Sequence, residues 1–318
     1  MEKMKAFTRT TYGGPEVLHV ETVEKPAVKK AHLLVKIAAN SANPADWHIL
    51  RGTPMFARFA FGLIRPNNKF LGADFAGTVE EVGEDAGQFQ VGDRVFGEFL
   101  EGGTFAEYAV VPAAACALMP EGSSFVDMAC MPVAGLTALQ ALVSHGKLQK
   151  GESVLINGSS GGVGHLAVQI AKAHGARVTG VCSARNKDFV HSLGADAVIA
   201  YDEENIHRLQ RKFDLVLDTH GNLFYQDFAR MGKRGVLIGF TGMRHLAVLM
   251  LRAAVGRFPL KQFTAAPNTP DLNTLASMVE DGKMRVHLEK TYFYTDIPKA
   301  IAYIEAMRTR GKVGMLWE

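Results

Sequence analysis

A β-branched apolar run, Val154-Leu155-Ile156, enters Asn157-Gly158-Ser159-Ser160-Gly161-Gly162-Val163-Gly164, and an apolar-periodic segment follows from Val163 to His174. A strand, a glycine-dense turn and a helix in that order form the arrangement that seats a pyrophosphate. Glycines let backbone N–H groups pass close to the phosphates, and the new helix points unsatisfied N–H groups and a positive dipole end at them. Aligned on the G-x-G-x-x-G pattern, Ser159 takes the first glycine position, Gly161 the second and Gly164 the third. The first position departs from the pattern, and a serine hydroxyl there is expected to donate to a phosphate oxygen. Ser159, Ser160, Gly161, Gly162 and Val163 are the expected contacts. The bland alternative is a structural turn that binds nothing. Gly175 ending the helix and a second strand from Arg177 to Cys182 speak against it.

The end of that second strand carries the next chemical signal. A site for NAD places Asp or Glu there to hold the ribose 2′-hydroxyl. This chain reads Val181-Cys182-Ser183-Ala184-Arg185-Asn186-Lys187, with no acid before Asp188. Ser183 offers a hydroxyl, and Arg185 and Lys187 offer cations suited to a 2′-phosphate. The expected cofactor is therefore NADPH. The alternative is a solvated basic loop.

The elements that must position these residues differ along the chain. Short strand candidates fill the first third, at residues 4–8, 18–22, 33–39, 76–82, 94–99 and 104–111, punctuated by Gly and Pro turns. Beyond Pro120-Glu121-Gly122 the pattern alternates. A helical stretch from Phe125 to His145, interrupted near Pro132 and Gly135, leads to strands at 154–157, 177–182, 197–200, 213–218 and 235–239, with helices between them. Alternation of this kind predicts a parallel doubly wound sheet. Two helices (272–280 and 297–309) and a strand (313–317) close the chain. With 318 residues, two domains are expected. A net charge of +3, with scattered cations, argues against a nucleic-acid stripe. The longest greasy stretch, Leu246 to Val255, is interrupted by Arg252 and is too short to span a bilayer, so no membrane partner is expected. Three dispersed cysteines and no secretory signal at the start point to the cytoplasm.

Larger motifs carry a resemblance. They are Gly13-Gly14-Pro15-Glu16-Val17-Leu18, Asn43-Pro44-Ala45-Asp46 with Arg51-Gly52, Leu71-Gly72-Ala73-Asp74-Phe75-Ala76-Gly77 and Val91-Gly92-Asp93-Arg94-Val95. Gly135-Leu136-Thr137-Ala138, Leu193-Gly194-Ala195-Asp196 and Gly311-Lys312-Val313 complete them. With the glycine turn, they make the chain resemble a zinc-independent member of the medium-chain dehydrogenase/reductase superfamily, close to the NADPH:quinone oxidoreductases. The resemblance implies an α/β fold in which a GroES-like β-barrel catalytic domain, residues 1–121 and 262–318, receives an inserted Rossmann domain, 122–261. It implies a homodimer and an active site in the cleft between domains.

The same resemblance distributes roles. Asn43 and Asp46 match the catalytic cleft loop. Thr137 matches a residue that contacts the ribose and nicotinamide, Tyr201 lies near the adenosine end, and Lys312 resembles a phosphate-side residue. Gly239 and Phe240 pass beside the nicotinamide ring. Zinc-dependent relatives place a cysteine in the Asn43–Asp46 loop and a His-Glu pair where Ala73-Asp74 stands, so no metal site is expected. Without a Lewis acid, the expected reaction is hydride transfer to an already electrophilic quinone or enone. His48 is a candidate proton donor or carbonyl polariser, and equally a packed polar residue. Phe56, Phe59, Phe61 and Leu63 form either an apolar lid or ordinary core. Cys130 reads as a buried hydrophobe. Two alternatives stay open: a 2-enoyl thioester reductase, against which Pro54 counts where a tyrosine proton donor is typical, and a cofactor-binding protein without turnover.

Overall fold

The computed structural model describes residues 2–55, 58–101, 103–239 and 242–317. Contacts divide the chain into two units: unit 1 comprises Met1–Val133, Pro267–Asp281 and Val286–Glu318, and unit 2 comprises Ala134–Ala266 and Gly282–Arg285.

Unit 1 begins with strands β1 (Lys3–Thr8) and β2 (His19–Glu24), which pair antiparallel as a separate ribbon. Strand β3 (His32–Ala42) is followed by helices α1 (Pro44–Arg51) and α2 (Arg58–Phe61), then β4 (Asp74–Val82), β5 (Arg94–Glu98), β6 (Tyr108–Pro112) and β7 (Cys116–Leu118). Helix α1 starts where Pro44 supplies a preset φ and the Asp46 carboxylate accepts the Asn43 N–H at 2.8 Å. Helix α3 (Phe125–Ala129) packs on β3 and β4. The predicted helical stretch from Phe125 does not break at Gly135. It breaks at Cys130-Met131, and Pro132 opens the next helix, α4 (Pro132–Leu139), because proline has no N–H to lose at a first turn. Residues Gln140–His145 then widen into a π-helical turn.

Unit 2 carries β8 (Ser153–Asn157), α5 (Gly162–Ala173), β9 (Arg177–Cys182), α6 (Lys187–Ser192), β10 (Ala197–Ala200), β11 (Phe213–Asp218), α7 (Tyr225–Met231), β12 (Gly232–Leu237), α8 (Met243–Val255) and β13 (Leu260–Gln262). All neighbours are parallel in the order β10-β9-β8-β11-β12-β13. The strand order reverses at β8 and β11, the position where doubly wound sheets open a crevice. Leu155, Val216, Leu217 and Leu237 are among the buried residues of these central strands, in keeping with near-continuous apolar runs.

The chain then returns to unit 1 through α9 (Thr269–Glu280), β14 (Leu288–Phe293), α10 (Ile297–Glu305) and β15 (Lys312–Leu316). These strands complete a seven-stranded sheet of order β14-β15-β3-β4-β5-β7, with β6 pairing the first half of β3 while β15 pairs its second half. Its core gathers Phe7, Leu33, Leu50, Phe75, Phe105 and Ile301. The strand expected over 104–111 starts only at Tyr108, and the one expected over 235–239 runs instead from Gly232 to Leu237.

Candidate active site

In unit 2 the glycine turn is shaped by close approach. Gly158 has a positive φ of 81° and belongs to the left-handed region. A Cβ on Gly164 would lie 2.0 Å from the Gly158 carbonyl oxygen, so only glycine lets α5 pack this tightly on the turn. At Gly161 a Cβ would meet only that same carbonyl, at 3.4 Å. Room is therefore left in front of Gly161, and the N–H groups of Gly162, Val163 and Gly164 open α5 without intrahelical partners. The donor set and the vacant space fit a pyrophosphate. Ser160 stands beside it, its hydroxyl oxygen accepting the Asn186 side-chain N–H at 3.1 Å. Ser159 differs from expectation. Its hydroxyl is fully buried and donates to the Val181 carbonyl at 2.9 Å, which ties the turn to β9 and leaves nothing for a phosphate.

The loop after β9 is less acid-free than its sequence suggests. Because β9 and β10 are parallel neighbours, the residues after both strands emerge at one end. Tyr201 emerges there 59% exposed, together with Asp202 and Glu203. Asp202 accepts the Ala184 N–H at 2.8 Å, and Lys187 is ion-paired with Glu203. Arg185 is exposed, and Ser183 is half-buried. Of the expected cations, Arg185 is the one left facing solvent, whereas Lys187 is already neutralised.

The ends of β8 and β11, where the order reverses, are locked together. Asn157 donates to the Asp218 carboxylate at 2.8 Å and to the Asn222 side-chain amide oxygen at 2.7 Å. Asp218, fully buried, also accepts the N–H groups of His220, Gly221 and Leu223. Gly239 approaches the Thr219 carbonyl so closely that a Cβ would lie 2.9 Å from it. Thr137 lies buried on α4. Phe240 falls outside the described residues.

Unit 1 holds a second polar group, closed rather than open. The Asn43 amide donates to the Asp74 carboxylate at 2.8 Å, and the Ser41 hydroxyl donates to the same oxygen at 2.6 Å. The other Asp74 oxygen accepts the Val133 N–H at 2.8 Å. Lys312, 3% exposed, donates to the Asn43 amide oxygen at 2.5 Å and lies 3.5 Å from Asp74. Its ammonium is thus engaged inside unit 1, against the phosphate-side role that its motif suggested. Asp46, capping α1, and Glu98 complete the group. Asp74 and Glu98 are directly opposed residues of β4 and β5. Burial pushes Asp46 up to about 7 and Glu98 up to about 8, with the neighbouring carboxylates adding to the rise. Cys130 is fully buried, and burial pushes its thiol up to about 12, which rules against a resting thiolate.

His48 stacks on Trp47 with ring centroids 3.6 Å apart, and its Nδ1 sits 3.2 Å from the Thr53 carbonyl. A carbonyl only accepts, so Nδ1 carries the proton. Burial holds the ring below its usual range, so it is neutral and Nε2 is unprotonated at neutral pH. The packed-residue alternative is favoured over a proton donor. Of the lid residues, Phe59 and Leu63 are 81% and 59% exposed, Phe61 packs against the core, and Phe56 lies outside the described residues.

Glu98, Asn186, Asp202, Glu203 and Asp218 did not emerge from sequence reasoning. Asn186 stands in the same loop as Ser183, Arg185 and Lys187. Glu98 required the β4–β5 register, and Asp202 and Glu203 required recognising that β9 and β10 end side by side.

Comparison with known proteins agrees with this architecture. Residues 29–121 match the alcohol dehydrogenase GroES-like domain, and residues 193–313 match the zinc-binding dehydrogenase family. A chloroplast envelope quinone oxidoreductase homolog from Arabidopsis thaliana is 33% identical, the match covering 91% of each chain. An NADPH-dependent alkenal/one oxidoreductase of the same plant is 31% identical, over 98% of this chain and 79% of its own length. Among solved structures, the quinone oxidoreductase from Coxiella burnetii superposes with a TM-score of 0.88 at 29% identity, covering both chains completely.

Proposed function

The chain belongs to the quinone-oxidoreductase-like branch of the medium-chain dehydrogenase/reductase superfamily, and from that premise we propose that it reduces a quinone or an α,β-unsaturated carbonyl at the expense of NADPH. The observation that carries the reading is the glycine turn, held open at Gly161 and closed at Gly164, on a sheet of dinucleotide-binding order. When bound, the nicotinamide supplies the hydride. Gly162 and Val163 present N–H groups to the pyrophosphate, Gly161, whose own N–H is held by the Gly158 carbonyl, leaves it room, and Ser160 and Asn186 stand at its side. Arg185 and Ser183 face the 2′-phosphate, while Lys187 contributes only when it parts from Glu203. Tyr201 borders the adenosine, and Thr137 and Gly239 border the nicotinamide end.

Zinc does not fit the places its ligands take in zinc-dependent relatives. Asn43 and Ala73 are not zinc ligands of the required type, and the Lys312 ammonium occupies the centre of the group, where it would repel a metal cation. No step therefore runs through a metal. The Asn43–Asp74–Lys312 group fixes the loop that opens α1, a positioning contribution. Burial holds Glu98 and Asp46 toward their protonated forms, and solvent supplies the proton that completes reduction. The three cysteines are free and buried, in keeping with a reducing cytoplasm. A homodimer belongs to the same reading.

The test uses NADPH deuterated separately on each face of its reactive carbon, with a simple quinone and an enone. A primary isotope effect for one face only, and deuterium on the enone β-carbon, are expected. Oxidation of a secondary alcohol with neither acceptor reduced would overturn the assignment. Tight NADPH binding without turnover of quinones, enals, enones or enoyl thioesters would make the protein a non-catalytic binder.

A further inference from the structure

Helix α8 has two apolar faces, and the core uses one of them. Leu249 is buried in the unit 2 core, and Leu246 and Met250 pack beside it. The turn after the helix is clamped. The Tyr225 hydroxyl accepts the Phe258 N–H at 3.0 Å, and Gly256 passes so near that a Cβ would lie 1.8 Å from that hydroxyl. With the inner face fixed, the outer face is fixed too. Met243, Ala247, Leu251 and Val255 recur every four residues and form one continuous row. All four are exposed, Leu251 to 67% and Val255 to 80%, and Val248 widens the row. Beside it runs a groove of about 300 Å³ lined by Phe224, Tyr225, Val248, Arg244 and Arg252. A helix apolar on both sides is ordinarily covered on both.

The chain segment that carries this row has charge of one sign. From residue 228 to residue 270 the chain contains no Asp or Glu, and seven Lys or Arg. Arg230, Lys233 and Arg234 reach acids elsewhere in unit 2. Arg244, Arg252, Arg257 and Lys261, on α8 and just after it, have no carboxylate partner among the described residues.

We propose that the outer face of α8 docks on an anionic phospholipid bilayer, the apolar row entering the boundary between headgroups and acyl chains while Arg244, Arg252, Arg257 and Lys261 meet lipid phosphates. A helix of 13 residues cannot span the hydrocarbon, and no helix among the described residues is long and apolar enough to do so. Interfacial seating needs only one apolar face lying in the plane. A second copy is the weaker occupant. A two-fold contact over this row would bring the same four cations of each copy together without an acid between them. The absence of any membrane partner, expected from the length of the greasy stretch, rested on spanning alone. The proposal goes beyond the hydride-transfer reading, and its readout is binding rather than turnover, so either can fail without the other.

The test is co-sedimentation of the full chain with vesicles of phosphatidylcholine alone, or with about one third phosphatidylglycerol, at low and high salt. Binding to the anionic vesicles, weakened by salt, is expected. The double substitution Leu251→Asp/Val255→Asp should lower partitioning roughly tenfold or more, and Arg244→Gln/Arg252→Gln should lower it and flatten its salt dependence. Reduction of a water-soluble quinone by both variants should stay within about twofold of the parent, as for surface changes remote from the cofactor turn. Should the aspartate variant fail to fold, Val255→Trp gives a second reading. Its fluorescence should shift to the blue on anionic vesicles, and no shift would overturn the proposal. Equal sedimentation with and without anionic lipid would also overturn it. So would loss of a dimer in Leu251→Asp/Val255→Asp with no vesicle effect, which would assign the face to a second copy.

Discussion

The polar groups of unit 1 and unit 2 are arranged in opposite ways. Around Asp74 the donors and acceptors are buried and bonded to one another: Ser41, Asn43, Val133 and Lys312 all converge on one carboxylate or its partner. At the glycine turn the donors face outward, and the space in front of Gly161 is empty of side chain. The first arrangement fixes geometry in advance and draws on folding stability to do so, because buried charge is costly unless fully paired. The second costs the fold little and becomes complete only with a ligand. Substitutions in unit 1 should therefore register first as stability, and substitutions around the turn as affinity.

The largest effect that sharpens this contrast is expected from Lys312→Met. Removing the ammonium leaves the Asp74 carboxylate buried without its cation, which should cost about 3–5 kcal/mol in urea unfolding. NADPH affinity of the folded protein should hardly change. Full stability with weakened NADPH binding would return Lys312 to a phosphate-side role and break the comparison.

Glu98→Gln comes next and depends on pH. A carboxyl raised in the folded state contributes its full stability below its ordinary value of 4.5 and loses it as pH rises through about 8. The parent should therefore weaken between about pH 5 and 9, by on the order of 3 kcal/mol once coupling to Asp46 and Asp74 is allowed for. In the glutamine variant that part of the slope should vanish, so that it overtakes the parent in thermal unfolding above pH 8. Parallel pH curves for the two proteins would mean that Glu98 is not held protonated.

On the open side, Arg185→Ala should weaken NADPH by about 1–3 kcal/mol in direct titration, leave NADH unchanged and leave unfolding within about 0.5 kcal/mol of the parent. Equal loss for both cofactors would place the 2′-phosphate elsewhere. The smallest expected effect on the fold is that of Gly161→Ala, under about 1 kcal/mol, since a methyl group there makes only one ordinary contact. The same substitution should weaken NADPH several-fold, because the methyl group stands where the phosphates approach. Gly164→Ala, pressed against a backbone oxygen, is its natural control and should fail by destabilisation instead.

Much of unit 2 could be read directly from the sequence, because its central parallel strands carry short apolar runs, whereas the edge strand β13, Leu-Lys-Gln, carries none and went unexpected. Helix α8 reads in the sequence only as a greasy stretch, because residues on both its faces are apolar. Strand β14 escaped because it is largely exposed at a sheet edge and carries no alternation. In the candidate site, local patterns revealed the turn and the Asn43–Asp46 loop. They did not reveal Ser159 turning inward to Val181, or Lys187 already held by Glu203. Those outcomes depend on which strands lie side by side. Lys312 and Asp74 are 238 residues apart and meet only because β15 and β4 flank the same strand, β3.

Strand β15 sits between β14 and β3, so unit 1 is assembled from segments that precede and follow unit 2. Val313 pairs with Ala42, and on a ribosome adding roughly 5–20 residues per second the earlier strand waits on the order of twenty seconds for the later one. During that interval the strands of unit 2, which are consecutive, can assemble, while Asp46, Asp74 and Glu98 have no buried cation to gather around. Vectorial synthesis thus favours maturation of the nucleotide-binding half first and keeps the other half open until β15 has emerged. Residues 39–42 of β3 stay an unpaired edge for that interval, the kind of edge that invites wrong pairing.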